Sequence, residues 1–246
     1  MNEAVFISDL HLNPDCPALT DQFIRFCHWA ENNTKSVYIL GDFFHLWVGD
    51  DDHSEWITPI RNALLALDKK GIKLFYMGGN RDFLLGKRFC RQSGMHYLKD
   101  GTLLNWQGNT IALTHGDRLC TKDRTHQLFY HFTRNAIFPF FFNRFPFKFR
   151  RALAKRVRQR SQRNKPKQRM LGAVTIDGIN KFIHRYPCDM VVHGHTHQPA
   201  LHHHVVGKQV VQRFVLSDWD DKVIILCYHN AKGFYFYQFE VSHGQR

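Results

Sequence analysis

The sequence predicts an α/β domain on a mostly parallel sheet, and three observations predict it. Short apolar runs recur, as in AVFISDLH, SVYILGD, KLFYMGGNRD, TIALTHGD and DMVVHGHTH, each ending in a polar residue and usually just after a glycine. Segments of helical period separate the first of these runs, which is the signature of βαβ units. At 246 residues the chain suits one large domain, or a domain carrying a sizeable insertion, better than two full ones. Residues 1–246 are therefore read as a single domain.

The first helix is read from Phe23, Ile24, Phe26, Cys27 and Ala30, and the second from Ile60, Ala63, Leu64 and Leu67, closed by Gly71. Late in the chain, VVQRFVLSDW, KVIILCYHN and GFYFYQFEV read as strands added in antiparallel fashion. Between them, residues 121–174 break the rhythm. Phe138, Phe141, Phe142, Phe145, Phe149, Leu153 and Val157 recur at spacings of three and four, with Arg and Lys across from them, and Pro139 and Pro146 divide the stretch into separate helices. This is a basic, aromatic helical insertion, expected over the sheet edge.

The formal charge of +13 sits in that insertion. No Asp or Glu occurs from Arg124 through Ile176, and 14 of the 34 Lys and Arg lie between Arg124 and Arg169, so the rest of the chain is near neutrality. The six cysteines are scattered without C-x-x-C spacing, and MNEAVFISDL lacks a signal-peptide pattern. The expectation is a reduced cytosolic protein with inert thiols. No apolar run approaches the ~18 residues of a membrane span.

Asp9, His11, Asp42, Asn80, His115, His195 and His197 each fall in a turn just after an expected strand, where open α/β sheets place ligand sites. Taken singly, such residues are turn formers. Together they form a set of carboxylate, imidazole and amide oxygen donors without thiolate, suited to Mn²⁺, Fe²⁺ or Zn²⁺. Seven donors exceed one tetrahedral site and fit two metals ~3.5–4 Å apart, an arrangement that suits phosphoester hydrolysis. The pairs Asp9/His11 and His195/His197 are spaced to share one side of an extended segment. Arg81 offers a planar fork for phosphate oxygens, or a salt bridge to Asp82 or a neighbour.

SDLHL at Asp9 and His11, GD at Asp42, GGNRD at Asn80, THGD at His115 and HGHTH at His193 to His197 together resemble the calcineurin-like metallophosphoesterase superfamily. GDFFHLWVGDDD, GGNRDFLLGKRF, THGDRLCTKD and HGHTHQPALH further resemble the UDP-2,3-diacylglucosamine hydrolases of lipid A biosynthesis, over essentially the whole chain. His45, where an acidic residue is more usual, and Arg118, where Thr is usual, depart from that pattern. The resemblance implies a metallophosphoesterase fold, with layered β-sheets flanked by helices and a helical lid at 121–174. It implies two Mn²⁺ ions, other divalent transition metals being possible. Asp9, His11, Asp42 and His197 would hold one and Asp42, Asn80, His115 and His195 the other, with Asp42 bridging. A hydroxide between the ions would attack the α-phosphorus of UDP-2,3-diacylglucosamine, giving UMP and 2,3-diacylglucosamine 1-phosphate. Asn80, Arg81, His115 and His195 would act in catalysis, and Asn80, Arg81, Asp123, Ser161, Lys165, Gln168 and His195 would contact substrate, with Lys167 an alternative to Gln168. His193 would support the turn, and His202 to His204 would be an exposed run with no role.

The insertion could supply both an apolar home for acyl chains and cations for a pyrophosphate or an anionic leaflet. Its phenylalanines could equally be core, and its bases a solvated face. The resemblance implies a peripheral protein on the cytoplasmic face of the bacterial inner membrane, with no oligomer required. No nucleic acid partner is expected, because the insertion's aromatics are nearly all Phe at core-like helical spacing, whereas stacking platforms would sit on exposed grooves. The rival readings are a nuclease or other phosphodiesterase on the same metal core, since bases among aromatics also suit single strands, and a non-catalytic membrane-surface binding protein.

Overall fold

A computed structural model describes residues 1–135, 137–163, 173–220 and 222–239, without the side chains of His126 and of residues 161–163. The chain forms two sheets packed face to face. The six-stranded sheet has the order β11-β10-β1-β2-β3-β4, with β1 (Ala4–Ile7), β2 (Ser36–Leu40), β3 (Lys73–Met77) and β4 (Met95–Leu98) parallel, and β10 (Val223–His229) and β11 (Gly233–Phe239) antiparallel. The five-stranded sheet has the order β5-β6-β7-β9-β8, from β5 (Thr102–Trp106), β6 (Asn109–Thr114), β7 (Met190–His193), β8 (Ala200–Val206) and β9 (Gln209–Val215).

Strand alternation builds the layers. On β1, Ala4 and Phe6 face the space between the sheets while Val5 and Ile7 face outward. Tyr38 and Leu40 on β2 face in and Val37 and Ile39 face out in the same way, so both sides of these central strands are apolar. The outer face of the larger sheet is covered by α1 (Pro17–Asn33), α2 (Ile57–Lys69) and α3 (Lys87–Gln92). α1 buries Phe23, Phe26, Cys27 and Ala30, and α2 buries Ile60, Leu64 and Leu67, as the helical spacing predicts. The smaller sheet is covered by α7 (Ile176–Arg185), which starts where the Thr175 hydroxyl accepts the Gly178 amide at 3.0 Å.

Three sequence expectations need correction. β9 pairs parallel with β7 and antiparallel only with β8. The histidine run, carried on β8, is exposed at His202 and His203 as expected, but His204 is half-buried and accepts from Arg213 at 2.9 Å. Third, the helices α4 (Arg124–Thr133), α5 (Ile137–Phe142) and α6 (Phe147–Arg163) reach beyond the sheet edge, where Tyr130 donates to Asp100 after β4, over the loops that follow β2 and β3. Arg134 donates to the Gly78 and Gly79 carbonyls, Arg150 to the Val48 carbonyl and Asp51, and Arg158 to the His45 carbonyl. Backbone carbonyls without strand partners are the natural acceptors for these guanidinium groups.

The aromatic stripe divides in two. Phe138 and Phe142 pack against the main core, whereas Phe141, Phe145, Phe149, Leu153 and Val157, joined by Phe140, are exposed. The core reading of the stripe holds for Phe138 and Phe142 alone.

A candidate dinuclear metal centre

Five parallel strands from the two sheets end at one place. β1 delivers Asp9 and His11, β2 Asp42, β3 Asn80, β6 His115 and β7 His195 and His197. The local backbone is not extended. Asp9, His11, Asp42, His195 and His197 have φ of 57°, 54°, 51°, 69° and 56°, and Gln107 is the only other described non-glycine residue at positive φ. The i, i+2 pairs therefore converge through left-handed turns, a conformation that costs an L side chain energy and that clusters at functional sites. Two glycines permit the close approach of these turns. A Cβ on Gly79 would fall on the Asp42 carboxylate and amide, and one on Gly194 would fall on Ser8 and Asp9.

Hydrogen bonds fix one side of each donor and leave the other turned inward. Asp9 Oδ2 accepts from the Ser8 hydroxyl at 2.6 Å and the His195 amide at 2.8 Å. Its Oδ1 is buried, with His197 Nε2 3.2 Å away. His115 Nδ1 donates to the Leu40 carbonyl at 2.9 Å, leaving Nε2 facing Asn80 Oδ1 at 3.0 Å and Asp42 Oδ1 at 3.7 Å. Asn80 Oδ1 also lies 3.0 Å from His195 Nδ1. Asp42 Oδ1 accepts the Arg81 amide at 2.9 Å and Oδ2 pairs with Arg81 Nε at 3.1 Å, so Arg81's ion pair is with Asp42.

His11 provides a test of cation fit. Both of its ring nitrogens are buried without a hydrogen-bond partner, and Nδ1 stands 4.0 Å from Asp42 Oδ2. Orphaned imidazole nitrogens beside carboxylates are costly unless something binds there. Donor atoms of Asp9, His11 and His197, and of Asp9, Asp42 and His115, lie within 4.8 Å of one another. The residues present thus fit divalent cation binding, and Asp9 is the residue the two groups share.

Electrostatics agree. Burial, seconded by Arg81, holds His11 well below the usual imidazole range, which keeps it neutral. Burial opposes ionisation of Asp9, but the His197 hydrogen bond and charge outweigh it and hold the carboxyl far below its ordinary value. Burial also opposes protonation of His197, yet hydrogen bonds to Asp218 and Asp9 push it up to about 10. A proton there would be released when a cation binds.

His193 stays outside the cluster. Its Nδ1 meets the Gly194 carbonyl at 2.7 Å and its Nε2 meets Arg213 at 2.9 Å, while burial and Arg213 push it down to about 3. Asp123 stands at the head of α4, where its carbonyl accepts the Gln127 amide at 2.9 Å. The side chain of Ser161, and all of Lys165, Lys167 and Gln168, lie outside the described residues. Arg118 bonds Asp100 and the Tyr186 hydroxyl, each at 3.3 Å, so its charge serves the fold. His45 Nδ1 accepts from Arg158 at 3.1 Å.

Three residues that the sequence reading passed over bear on the site. Buried Asp82 accepts the amides of Gly79, Asp42, Phe43 and Phe44 at 2.7 to 3.2 Å, tying the Asp42 turn to the Asn80 turn. Arg158 brings a second guanidinium from α6 close enough to Arg81 for their charges to oppose; burial and that repulsion push it down to about 9, and its Nε is buried without a partner. Asp218 lies 2.9 Å from His197 Nδ1. Asp218 ends a strand in S-D as Asp9 does, a signal legible in the sequence, whereas nothing sets Arg158 apart from the bases around it.

The family model described as calcineurin-like phosphoesterase matches residues 4–199. A UDP-2,3-diacylglucosamine hydrolase of Pseudomonas fluorescens (strain Pf0-1) is 38% identical over 88% of this chain and 88% of its own length. One from Aliivibrio fischeri (strain MJ11) is 36% identical over 91% and 93%. The solved structure of a novel archaeal phosphodiesterase aligns over 96% of this chain and 99% of that one at 13% identity and a TM-score of 0.46, too distant to bear on function.

Proposed function

Since the chain belongs to the calcineurin-like phosphoesterase family, we propose that it hydrolyses the pyrophosphate bond of UDP-2,3-diacylglucosamine, releasing UMP and 2,3-diacylglucosamine 1-phosphate for lipid A synthesis. The observation that carries this reading is the match to relatives named for that reaction along nearly their full length. The convergence of Asp9, His11, Asp42, Asn80, His115, His195 and His197 supplies chemistry to go with it.

In this reading Asp9, His11, Asp42 and His197 would hold one Mn²⁺ and Asp42, Asn80, His115 and His195 would hold a second. Such ions activate water near neutral pH and neutralise charge on phosphate oxygens. The chain's own residues do the rest. Arg81, already aligned by Asp42, and Arg158, the guanidinium that opposes it, receive the pyrophosphate oxygens and draw developing charge away from the α-phosphorus. Asn80 and His195, 3.0 Å apart at their Oδ1 and Nδ1, stand where the phosphate would meet the centre. Asp82 keeps the Asp42 and Asn80 turns in register without touching substrate.

The insertion at 121–174 acts as the lid. Its exposed Phe140, Phe141, Phe145 and Phe149 offer apolar surface to acyl chains, and its bases are attracted to the anionic cytoplasmic face of the inner membrane. No described helix is long and apolar enough to cross a membrane. Exposure of these rings removes the ground on which the sequence set nucleic acid aside, and the named relatives now favour the sugar nucleotide instead.

The test is incubation with UDP-2,3-diacylglucosamine, with and without Mn²⁺, following UMP and lipid products by mass. Asp42→Ala is expected to abolish release of UMP. If generic phosphodiesters or single-stranded nucleic acid are cleaved and UMP never forms, the substrate assignment is wrong.

A further inference from the structure

Beyond β9 the chain runs Leu216-Ser217-Asp218-Trp219, and it is fastened on both sides of Asp218. The Leu216 amide donates to the His193 carbonyl at 2.7 Å, tying this turn to the end of β7. Trp219 is 1% exposed and packs against Phe26 and Phe23 of α1, with ring centroids 5.5 and 6.4 Å away. A residue between two such anchors has little freedom to move. Its carboxylate Oδ2 meets His197 Nδ1 at 2.9 Å.

The other end of that imidazole looks into the cluster. His197 Nε2 is 3.2 Å from Asp9 Oδ1, and the ring lies 5.3 Å from that of His11. The His197 side chain remains 29% exposed, on a left-handed turn, so packing alone does not lock its rotamer. A neutral imidazole carries one N–H and one lone pair, and an ionised carboxylate accepts only. A carboxylate at Nδ1 therefore keeps an N–H on that side, so that the Nε2 proton now shared with Asp9 is the one given up to a cation and the lone pair it leaves faces Asp9 and His11. It also makes the ring a stronger donor to a cation.

We propose that Asp218 is a positioning residue, which orients and polarises His197 as a ligand for one of the two divalent cations. This rests on the reading of the cluster as a cation site. It adds an eighth residue to that site, one that touches neither cation nor substrate and acts through His197.

The measurement is Mn²⁺ binding to chelator-stripped full-length protein, with free Mn²⁺ followed by electron paramagnetic resonance. Asp218→Ala is expected to weaken one of the two binding steps by roughly 10- to 100-fold, the range typical of such outer partners, and to leave the other step unchanged. Asp218→Asn keeps an acceptor oxygen without the charge and should fall between native protein and Asp218→Ala. In the double variant with His197→Ala, removal of Asp218 should add no further loss, because a residue that works only through His197 has nothing left to act on. An additive further loss would mean that Asp218 acts on the fold at large, and the proposal would be overturned. It would also be overturned if Asp218→Ala and Asp218→Asn both bound Mn²⁺ within 2-fold of native protein while His197→Ala lost a step. If His197→Ala itself bound both ions normally, the failure would lie in the ligand assignment of His197.

Discussion

Replacing Arg158 by alanine removes a cation whose energetic state can be read from its surroundings. The guanidinium gives two hydrogen bonds to His45, its Nε has none, and burial together with Arg81 pushes its pKa down to about 9. The drop from the ordinary arginine value reflects how poorly burial and Arg81 leave this charge satisfied by the protein's own groups. At ~1.4 kcal/mol per pKa unit it bounds what a matching anion could recover at ~5 kcal/mol. Solvent reaches part of the side chain, and screening reduces the recoverable energy to ~2 kcal/mol. If a pyrophosphate oxygen is that anion, Arg158→Ala should lower kcat/KM by about 30-fold. Arg158→Lys, which keeps a charge and loses the planar fork, should lower it by about 10-fold. The assay is steady-state release of UMP from UDP-2,3-diacylglucosamine, beside thermal unfolding of the same proteins. The substitution relieves a repulsion, so the unfolding temperature should not fall. A kcat/KM within 3-fold of native, or an activity loss that follows a fall in unfolding temperature, would refute the reasoning.

Three further outcomes can be checked. Asp50 accepts the Gly86, Arg88 and Phe89 amides at the start of α3 and the Trp47 indole at 3.1 Å, so Asp50→Ala should cost ~2–3 kcal/mol in urea unfolding; a cost below ~0.5 kcal/mol would contradict its capping role. Phe140 and Phe141 are more than half exposed, so changing both to Ser should alter stability by less than ~0.5 kcal/mol each while weakening binding to vesicles of anionic lipid, and unchanged vesicle binding would remove these rings from the membrane contact. Among the six free cysteines only Cys16 is not buried, and burial pushes Cys90, Cys120 and Cys227 up to about 12 and Cys188 up to about 11. Their folded values lie above the unfolded ones, so these four thiols stay protonated until the pH climbs toward 11, and a thiol reagent at pH 8 should label one cysteine quickly and the others only on unfolding.

The sequence by itself determined which elements form and where the metal-ligand candidates stand along them. Period-two and period-3.6 patterns are local, so β1 to β3, β6 and β7 with α1 and α2 are legible, and each strand carries its donor at the carboxyl end. What no local pattern holds is partnership. β9 joined β7 in parallel because the order of strands in a sheet is settled by which faces pack, and the aromatic stripe divided between core and surface for the same reason.

The site follows the same division. The seven donors were visible in the sequence as strand-end polar residues, but the groups that aim them come from remote positions. Asp82 reaches back 40 residues to the Asp42 amide, and Asp218 meets His197 beside Trp219, which is buried against α1. A side chain's chemical type is written in the sequence. The distance to the group it orients exists only once the chain has closed on itself, because residues far apart along the chain are brought within hydrogen-bond reach by packing alone.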